Sequence, residues 1–583
     1  MKKFYFRILF LLIMGIVLNF CPLASYSQAS SSPPERIFVH TDKSLYVIGE
    51  TLWFSIYVIH AQSFRPSDFS KVAYFELLDG ESKPILQEKI GIYSGRGQGQ
   101  VFISPEIPSG VYYLRSYTAQ MKNQGPNSFF EQAISIANPN SPPQVQVSSN
   151  NESPSSQNRP PTSATELLQL ELPTNSFSRR EKVPFTLTQS GKNGEQETIS
   201  LSVSIYQVDS TLYFPRKHIT TFSSPDKDSS IPSSSYPPEN FTQVLRGKIG
   251  PVPDTTPVFL SFPGKAAEIY EVSLQKTGEF SLPLSPKVAS NDMVFWSPVD
   301  DLSETPIEIY SPYSQESLLM SPITFPDSSW RKLMEAYLYH AQIGNLYLPQ
   351  SQIRGAPSKE VPYQLPFYGV PRYAYRLDEY TRFPKLEEVF LEYIRFGLKR
   401  KIGNKRYIFL WDEYVNAASM GNSIPFSQPA LSMIDGIPVK DPEFIWDFDV
   451  LKVEQIDLVT KLFLLGDYPF FGIANFITYD HNFGGESLPN YVVRKSWQGL
   501  LPAKEFYSPE YEEANPNRGA TPDFRNTLYW EPLLNMNQAQ EEISFWTSDA
   551  EGMYKIEVNG LTSEGIPVYI EEYFTVTSSR TYE

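Results

Sequence analysis

Between Arg36 and Asn138 the chain runs through one short apolar segment after another, each closed by turn residues: Ile37 to Thr41, Leu52 to Ile59, Val72 to Leu78 before Asp79-Gly80, Gly99 to Ile103, and Gly110 to Thr118. Segments of this length at this spacing suit strands of a β-sandwich and leave no room for long helices. The same rhythm returns at Ile199-Ser200-Leu201-Ser202-Val203-Ser204-Ile205, where strict alternation predicts one apolar and one polar face. Fifty prolines stand among 39 Phe, 36 Tyr and 8 Trp, a mixture that favours short strands and rigid turns. The fold class read from these patterns is mainly β, a multidomain chain of Ig-like sandwiches with one α+β domain.

A chain of 583 residues exceeds the roughly 250–300 residues that one hydrophobic core supports, so several domains are expected. Composition shifts divide it into a segment 1–27, a sandwich at 34–139, a Ser/Pro-rich linker at 140–166, a second sandwich at 167–240 and a third β module at 241–320. A helical connector and an α+β domain follow at 321–483, then a C-terminal sandwich at 484–583. Helices are predicted over Trp330–Ala341 and Leu386–Phe396, and strands over Tyr407–Asp412, Ala430–Ile434, Val453–Thr460 and Gly472–Tyr479. The last region reads as Glu542–Thr547, Tyr554–Val558 and Val568–Val576, with turns at Asp549–Gly552 and Asn559-Gly560.

Lys2, Lys3 and Arg7, the apolar run Ile8–Phe20 and the small residues before Gln28 predict a signal peptide cleaved near Ser27. Lipidation at Cys21 fits less well, because bulky Phe20 precedes it. Cleavage moves the net charge from −16 to −19 and removes the only cysteine, which excludes disulfides, a Cys nucleophile and a cysteinyl zinc site. The acidic balance argues against nucleic acid, and no second long apolar run predicts a transmembrane helix in the mature chain. The expected place is the periplasm or the outer membrane.

The run Phe38-Val39-His40-Thr41-Asp42-Lys43-Ser44-Leu45-Tyr46, leading to Gly49-Glu50-Thr51-Leu52-Trp53-Phe54 and completed by Pro108–Arg115, resembles the second macroglobulin domain of the α2-macroglobulin family. The stretches Leu431–Val439, Leu451–Val459 and Phe471–Tyr479 are similar to the plug domain of TonB-dependent receptors, with Asp435-Gly436 as the turn. The tail from Phe524 through Phe545-Trp546 and Tyr554 is similar to the macroglobulin domain that follows the bait region. Together these resemble secreted macroglobulin-domain proteins of Bacteroidetes-type bacteria. The family's thioester needs a Cys, and Asn193 stands there in Asn193-Gly194-Glu195-Gln196, so covalent trapping is not implied. The residues after Tyr479 are too few for a 22-strand barrel.

Catalytic patterns are missing. The five histidines, His40, His60, His218, His340 and His481, form no zinc-binding pair, and no nucleophile elbow or phosphate loop occurs. Gly95-Arg96-Gly97-Gln98-Gly99 reads as a mobile hairpin between strands, and the carboxylates around Asp441–Asp449 and Asp549–Glu551 as solvated turns. No cofactor and no metal is expected. The expectation is therefore a non-catalytic exported binding or scaffold protein, with an outer-membrane protein or envelope complex as partner. An accessory glycan- or peptide-binding component of a nutrient-uptake complex is the alternative, and a hydrolase the second. Candidate partner-binding residues are Asp435 and Gly436, with Tyr368, Tyr373 and Tyr375 as aromatics that could line a groove.

Overall fold

The computed structural model describes residues 34–141, 167–190, 197–208, 216–222, 236, 238–253, 255–286, 288, 291–316, 337–343, 356–357, 365–412, 424–511 and 522–578. The signal-peptide segment, the 140–166 linker from residue 142 onward and Asn193–Gln196 lie outside the described residues. What is described is mainly β, as the alternation predicts.

The first sandwich packs Glu35–Thr41, Thr51–His60 and Arg96–Phe102 against a sheet ordered Leu45–Val47, Phe130–Ala137, Gly110–Thr118, Val72–Leu78 and Pro84–Gly91. Its core stacks Phe54 on Phe75 with ring centroids 4.0 Å apart and buries Phe38, Ile56, Tyr57 and Leu114 completely. The glycine-rich Gly95–Gly99 starts at a hairpin turn, in which Tyr93 and Arg96 exchange backbone hydrogen bonds across Ser94-Gly95. Its last four residues begin a strand, and a Cβ on Gly97 or Gly99 would lie 2.6 Å from Ile92 or 2.5 Å from Phe54, so glycine here admits close side chains.

The second sandwich is built from two distant stretches. Ile199–Val208 sits between Gly552–Thr562 and Thr527–Met536, and Lys182–Gln189 pairs with Gln540–Trp546. Strands read from sequence as belonging to separate modules at 167–240 and 484–583 thus share both sheets. Everything between them is an insertion, and loop closure rises by only about 0.6 kcal/mol per doubling of length, which makes such an excursion cheap. Asn559-Gly560 is not a turn but mid-strand: Gly560 lies opposite Leu201, and a Cβ there would come 2.3 Å from its side chain. The turn falls after Thr562, before the strand Pro567–Thr577.

The inserted region opens with a third β module. Val244–Ile249 lies between Glu279–Pro283 and Ile307–Ile309, facing a sheet ordered Glu268–Glu271, Phe259–Phe262, Asn291–Trp296 and Val493–Trp497. That last strand comes from the stretch read as the C-terminal sandwich. The chain then crosses to the first sandwich, where Leu501 N–H donates to the Lys89 carbonyl at 2.7 Å and the Lys89 ammonium lies 3.6 Å from the Trp497 ring centre.

An α+β unit completes the insertion. Its sheet is ordered Tyr373–Arg376, Val453–Leu465, Tyr468–Thr478, Leu431–Ile434 and Ile437–Pro438, with Leu431–Ile434 parallel to its neighbour. Helix Leu386–Glu392 stops four residues before the predicted end, because the chain turns at Tyr393 to enter the hairpin Gly397–Ile402 and Lys405–Leu410. Helix Pro442–Asp447 packs Ile445 and Trp446 inward. Phe259, Trp296, Met433 and Phe470 share one apolar cluster, so this unit and the third module are joined through their cores. Of the predicted helix at Trp330–Ala341, residues 337–341 are described and helical.

Candidate functional site

The alternating strands that carry the second sandwich present two faces, and both are covered. Tyr554, Ile556 and Val558 point into its own core, while Lys555, Glu557 and Asn559 share the opposite face with Ser202 and Ser204. That polar face, which alternation alone assigns to solvent, lies against the first sandwich, and Ser202, Ser204 and Asn559 are fully buried.

Hydrogen bonds cross the seam at several points. His40 Nδ1 lies 2.7 Å from Ser202 Oγ, and the Tyr57 hydroxyl donates to the Asn559 carbonyl at 2.8 Å. Arg96 crosses over the Tyr57 ring at 3.8 Å and donates to the carbonyls of Leu201 at 3.1 Å and Pro532 at 2.6 Å. Asp42 accepts from Trp53 N–H at 3.0 Å and Tyr46 at 2.7 Å within its own turn, and from Thr527 Oγ1 at 2.8 Å across the seam. Asp42 therefore braces its own strand connection and forms half of the junction.

Glu557 is the electrostatic hub. Arg216 lies 3.1 Å from its carboxylate and Lys555 also 3.1 Å, with Lys555 bridging on to Glu571 at 2.7 Å. Burial alone would raise the Glu557 carboxyl, but Arg216 and Lys555 hold it far below the ordinary carboxylate range. His40, whose Nε2 is 3.6 Å from Glu557, is pushed down to about 3 by burial against only partial compensation from that carboxylate, so it is neutral at physiological pH. Charge is matched with charge inside a closed interface, the arrangement of a structural lock, although His40 Nε2, Arg216 Nε and Arg96 Nε and Nη1 have no hydrogen-bond partner among the described residues.

The residues singled out for partner contact are placed differently from expectation. Asp435 is fully buried at φ 50°, and its carboxylate accepts from Thr478 N–H at 2.7 Å, Thr478 Oγ1 at 2.6 Å and Phe483 N–H at 2.9 Å. Gly436, at φ 82°, donates to Asn475 Oδ1 at 3.1 Å, and a Cβ on it would lie 2.2 Å from Ala267 of the third module. The Tyr368 hydroxyl donates to Asp457 at 2.7 Å and accepts from Asn475 at 3.0 Å, its own ionisation pushed up by burial and then by Asp457. Tyr373 stacks on Phe396 at 3.9 Å, and Tyr375 is buried on the same strand face. These five residues build the unit rather than an open aromatic groove, because the inward face of an edge strand is its core face. The structure brings together Asp435, Gly436 and Tyr368 around Asn475, and keeps Tyr373 and Tyr375 apart from them.

What the α+β unit leaves open is the far end of its long hairpin. Tyr373–Arg376 covers Val453–Leu465 only from Gln455 to Leu458, so from Lys461 to Leu465 the outer edge has no backbone partner among the described residues. Phe463 turns in toward Phe367, whereas Leu462 and Leu464 are 46% and 61% exposed. Among the described residues no group of three or more His, Cys, Asp or Glu is placed to hold a metal ion, and no helix is long and apolar enough to cross a membrane.

No family model matches the chain, and no curated protein matches it. Among solved structures it is similar to a Salmonella α2-macroglobulin reacted with methylamine, at 9% identity and TM-score 0.24, over 94% of this chain and 40% of that one. An Escherichia coli α2-macroglobulin activated by porcine elastase gives 8% identity and TM-score 0.23, over 94% and 44%. The chain thus spans less than half the length of these macroglobulins. Superpositions this loose add nothing to the β-modules already visible in the sheets.

Proposed function

We propose that this chain is a non-catalytic exported scaffold protein associated with the bacterial outer membrane, holding a protein partner on its α+β unit. The observation that carries the reading is the open outer edge at Lys461–Leu465, flanked by exposed Leu462 and Leu464. An unpaired strand edge supplies a ladder of donors and acceptors to an incoming strand, and apolar side chains beside it add specificity. The buried seam supports the same reading: a platform is useful when the modules that carry it are fixed. The resemblances to macroglobulin and plug domains supply the envelope setting, and an outer-membrane barrel is the partner class they favour.

The test is affinity capture of the tagged mature chain from detergent-solubilised envelopes, with Leu462→Asp/Leu464→Asp as the matched control. Stoichiometric recovery of an outer-membrane barrel that disappears with the variant supports the proposal. A monomer that stays in the soluble fraction and captures nothing overturns it and brings direct glycan or peptide binding forward.

A further inference from the structure

The hairpin Gly397–Leu410 stands out by charge. From Tyr393 to Trp411 the sequence holds six basic residues, Arg395, Lys399, Arg400, Lys401, Lys405 and Arg406, and no acid, in a chain whose net charge is −16. Its strands form a two-stranded sheet of their own. The near half is anchored, with Gly397, Ile408, Phe409 and Leu410 buried, while Lys399–Lys405 are all exposed. Its exposed end, Lys399–Lys405, carries the turn at Gly403-Asn404.

Three of these cations are occupied. Lys399 lies 3.1 Å from Glu387 and Lys405 3.0 Å from Asp441, and Arg406 binds Glu387, Glu443 and Asp447 at 2.6–2.9 Å. Those bonds brace the hairpin against the helices Leu386–Glu392 and Pro442–Asp447. Arg395, Arg400 and Lys401 have no carboxylate within ion-pair reach among the described residues; Arg400 lies 5.3 Å from the Phe409 ring centre, and Lys401 acts on Glu443 only through space. Next to Lys401, Ile402 at the turn is 51% exposed.

We infer that this hairpin tip is a docking point for an anionic lipid surface, Arg400 and Lys401 meeting headgroup phosphates and Ile402 entering the acyl boundary. Exposed cations flanking an exposed aliphatic side chain match the layered chemistry of a bilayer interface. An acidic protein partner fits less well, since a hairpin tip offers far less than the roughly 800 Å² per side of a stable protein interface. The acidic body does not forbid the contact, because the carboxylates nearest the hairpin are already paired with Lys399, Lys405 and Arg406. The inference does not rest on the partner strand proposed above.

The test is co-sedimentation of the full mature chain with phosphatidylcholine vesicles with and without phosphatidylglycerol, at low and physiological salt. Binding is expected only with phosphatidylglycerol and to weaken with salt. Each of the two tip cations contributes about five-fold to partitioning, so Arg400→Gln/Lys401→Gln lowers it about twenty-five-fold. Arg400→Gln alone, about five-fold weaker, keeps the test open should the double variant not fold. Ile402→Ser, which leaves charge untouched, is expected to cost about ten-fold, and Lys276→Gln on the third module nothing. No binding to phosphatidylglycerol vesicles, or equal binding by the variants, overturns the inference. So does release by inorganic phosphate at matched ionic strength, which would mark a free-phosphate site, or an Ile402→Ser variant that binds as well as the parent.

Discussion

The seam between the first and second sandwiches and the exposed hairpins of the α+β unit use the same residue types to opposite ends. At the seam, Arg96 is buried, Arg216 and Lys555 are nearly so, and every one is engaged with a carbonyl, a carboxylate or an aromatic face. At the hairpins, Arg400 and Lys401 are exposed and Leu462 and Leu464 face outward. Buried charge costs several kcal/mol per ion unless it is paired, so the seam fixes one geometry and tolerates little change. Exposed charge costs almost nothing to keep and is free to meet a partner. The comparison assigns rigidity to the seam and, under the proposed function, recognition to the hairpins, and substitutions can test each half.

The largest effect is expected at Glu557. Glu557→Ala leaves Arg216 and Lys555 buried beside a neutral His40, and removal of one member of such a cluster costs about 3–5 kcal/mol. Urea unfolding should show that loss. The exposed pair Arg65–Glu564, with side chains 57% and 54% accessible, provides the contrast, and Glu564→Ala should leave the midpoint unchanged. Equal effects at the two sites would mean that the seam is wet and the lock is not one.

Two glycines sharpen the contrast at the next level. Gly436 and Gly403 both have positive φ, 82° and 59°, but a Cβ at Gly436 strikes Ala267 at 2.2 Å while nothing lies within 4 Å of one at Gly403. Gly436→Ala is expected to cost about 3 kcal/mol, from strain plus overpacking at the joint with the third module. Gly403→Ala carries only the backbone term, about 1 kcal/mol. Thermal unfolding of the two variants measures the difference.

A third expectation concerns pH. The His40 imidazole binds its proton at about 3 in the folded chain against 6.5 ordinarily. Between those values the unfolded chain holds a proton that the folded chain does not, so stability falls as pH drops through this window, by up to about 1.4 kcal/mol per pH unit. Asp42, raised by burial, works in the opposite sense near the acid end, which is why the comparison is with a variant. His40→Asn should flatten the slope of stability against pH from 6.5 downward while leaving the more acidic loss from Glu557 in place. An unchanged slope would mean that the imidazole is not held neutral in the seam.

The sequence was most readable where a residue's role is local. The strands Val72–Leu78 and Gly110–Thr118 fall where alternation and turn pairs put them, and Asp435-Gly436 is a turn with both residues at positive φ. What could not be read is which strand pairs with which. Alternation in Ile199–Ile205 states that the serines share a face; it does not state that the first sandwich covers that face, or that Gly552–Thr562 lies alongside. For the same reason His40, Arg96, Arg216 and Glu557 gave no signal as a group, since each looks like an ordinary polar residue of a strand or turn. Gly560 and Gly97, read from sequence as turn and hairpin residues, in fact stand inside strands where a neighbouring strand approaches closely. The aromatics at Tyr368, Tyr373 and Tyr375 misled because exposure cannot be told from composition.

The smallest change in stability, and the sharpest functional one, belongs to the open strand edge. Leu462 and Leu464 are largely exposed, so replacing both with Asp opens no cavity and buries no charge; unfolding free energy should stay within about 0.5 kcal/mol of the parent. The same two carboxylates are the device by which natural edge strands refuse an incoming strand, because pairing would bring charge against an apolar partner. Recovery of the envelope partner should therefore fall at least about ten-fold, the equivalent of about 1.4 kcal/mol, with no change in the urea midpoint. Loss of stability instead would show that these leucines pack within the folded chain. Undiminished recovery in a stable variant would move the recognition surface away from the hairpin, and the division of labour between seam and hairpin would fail at its outer end.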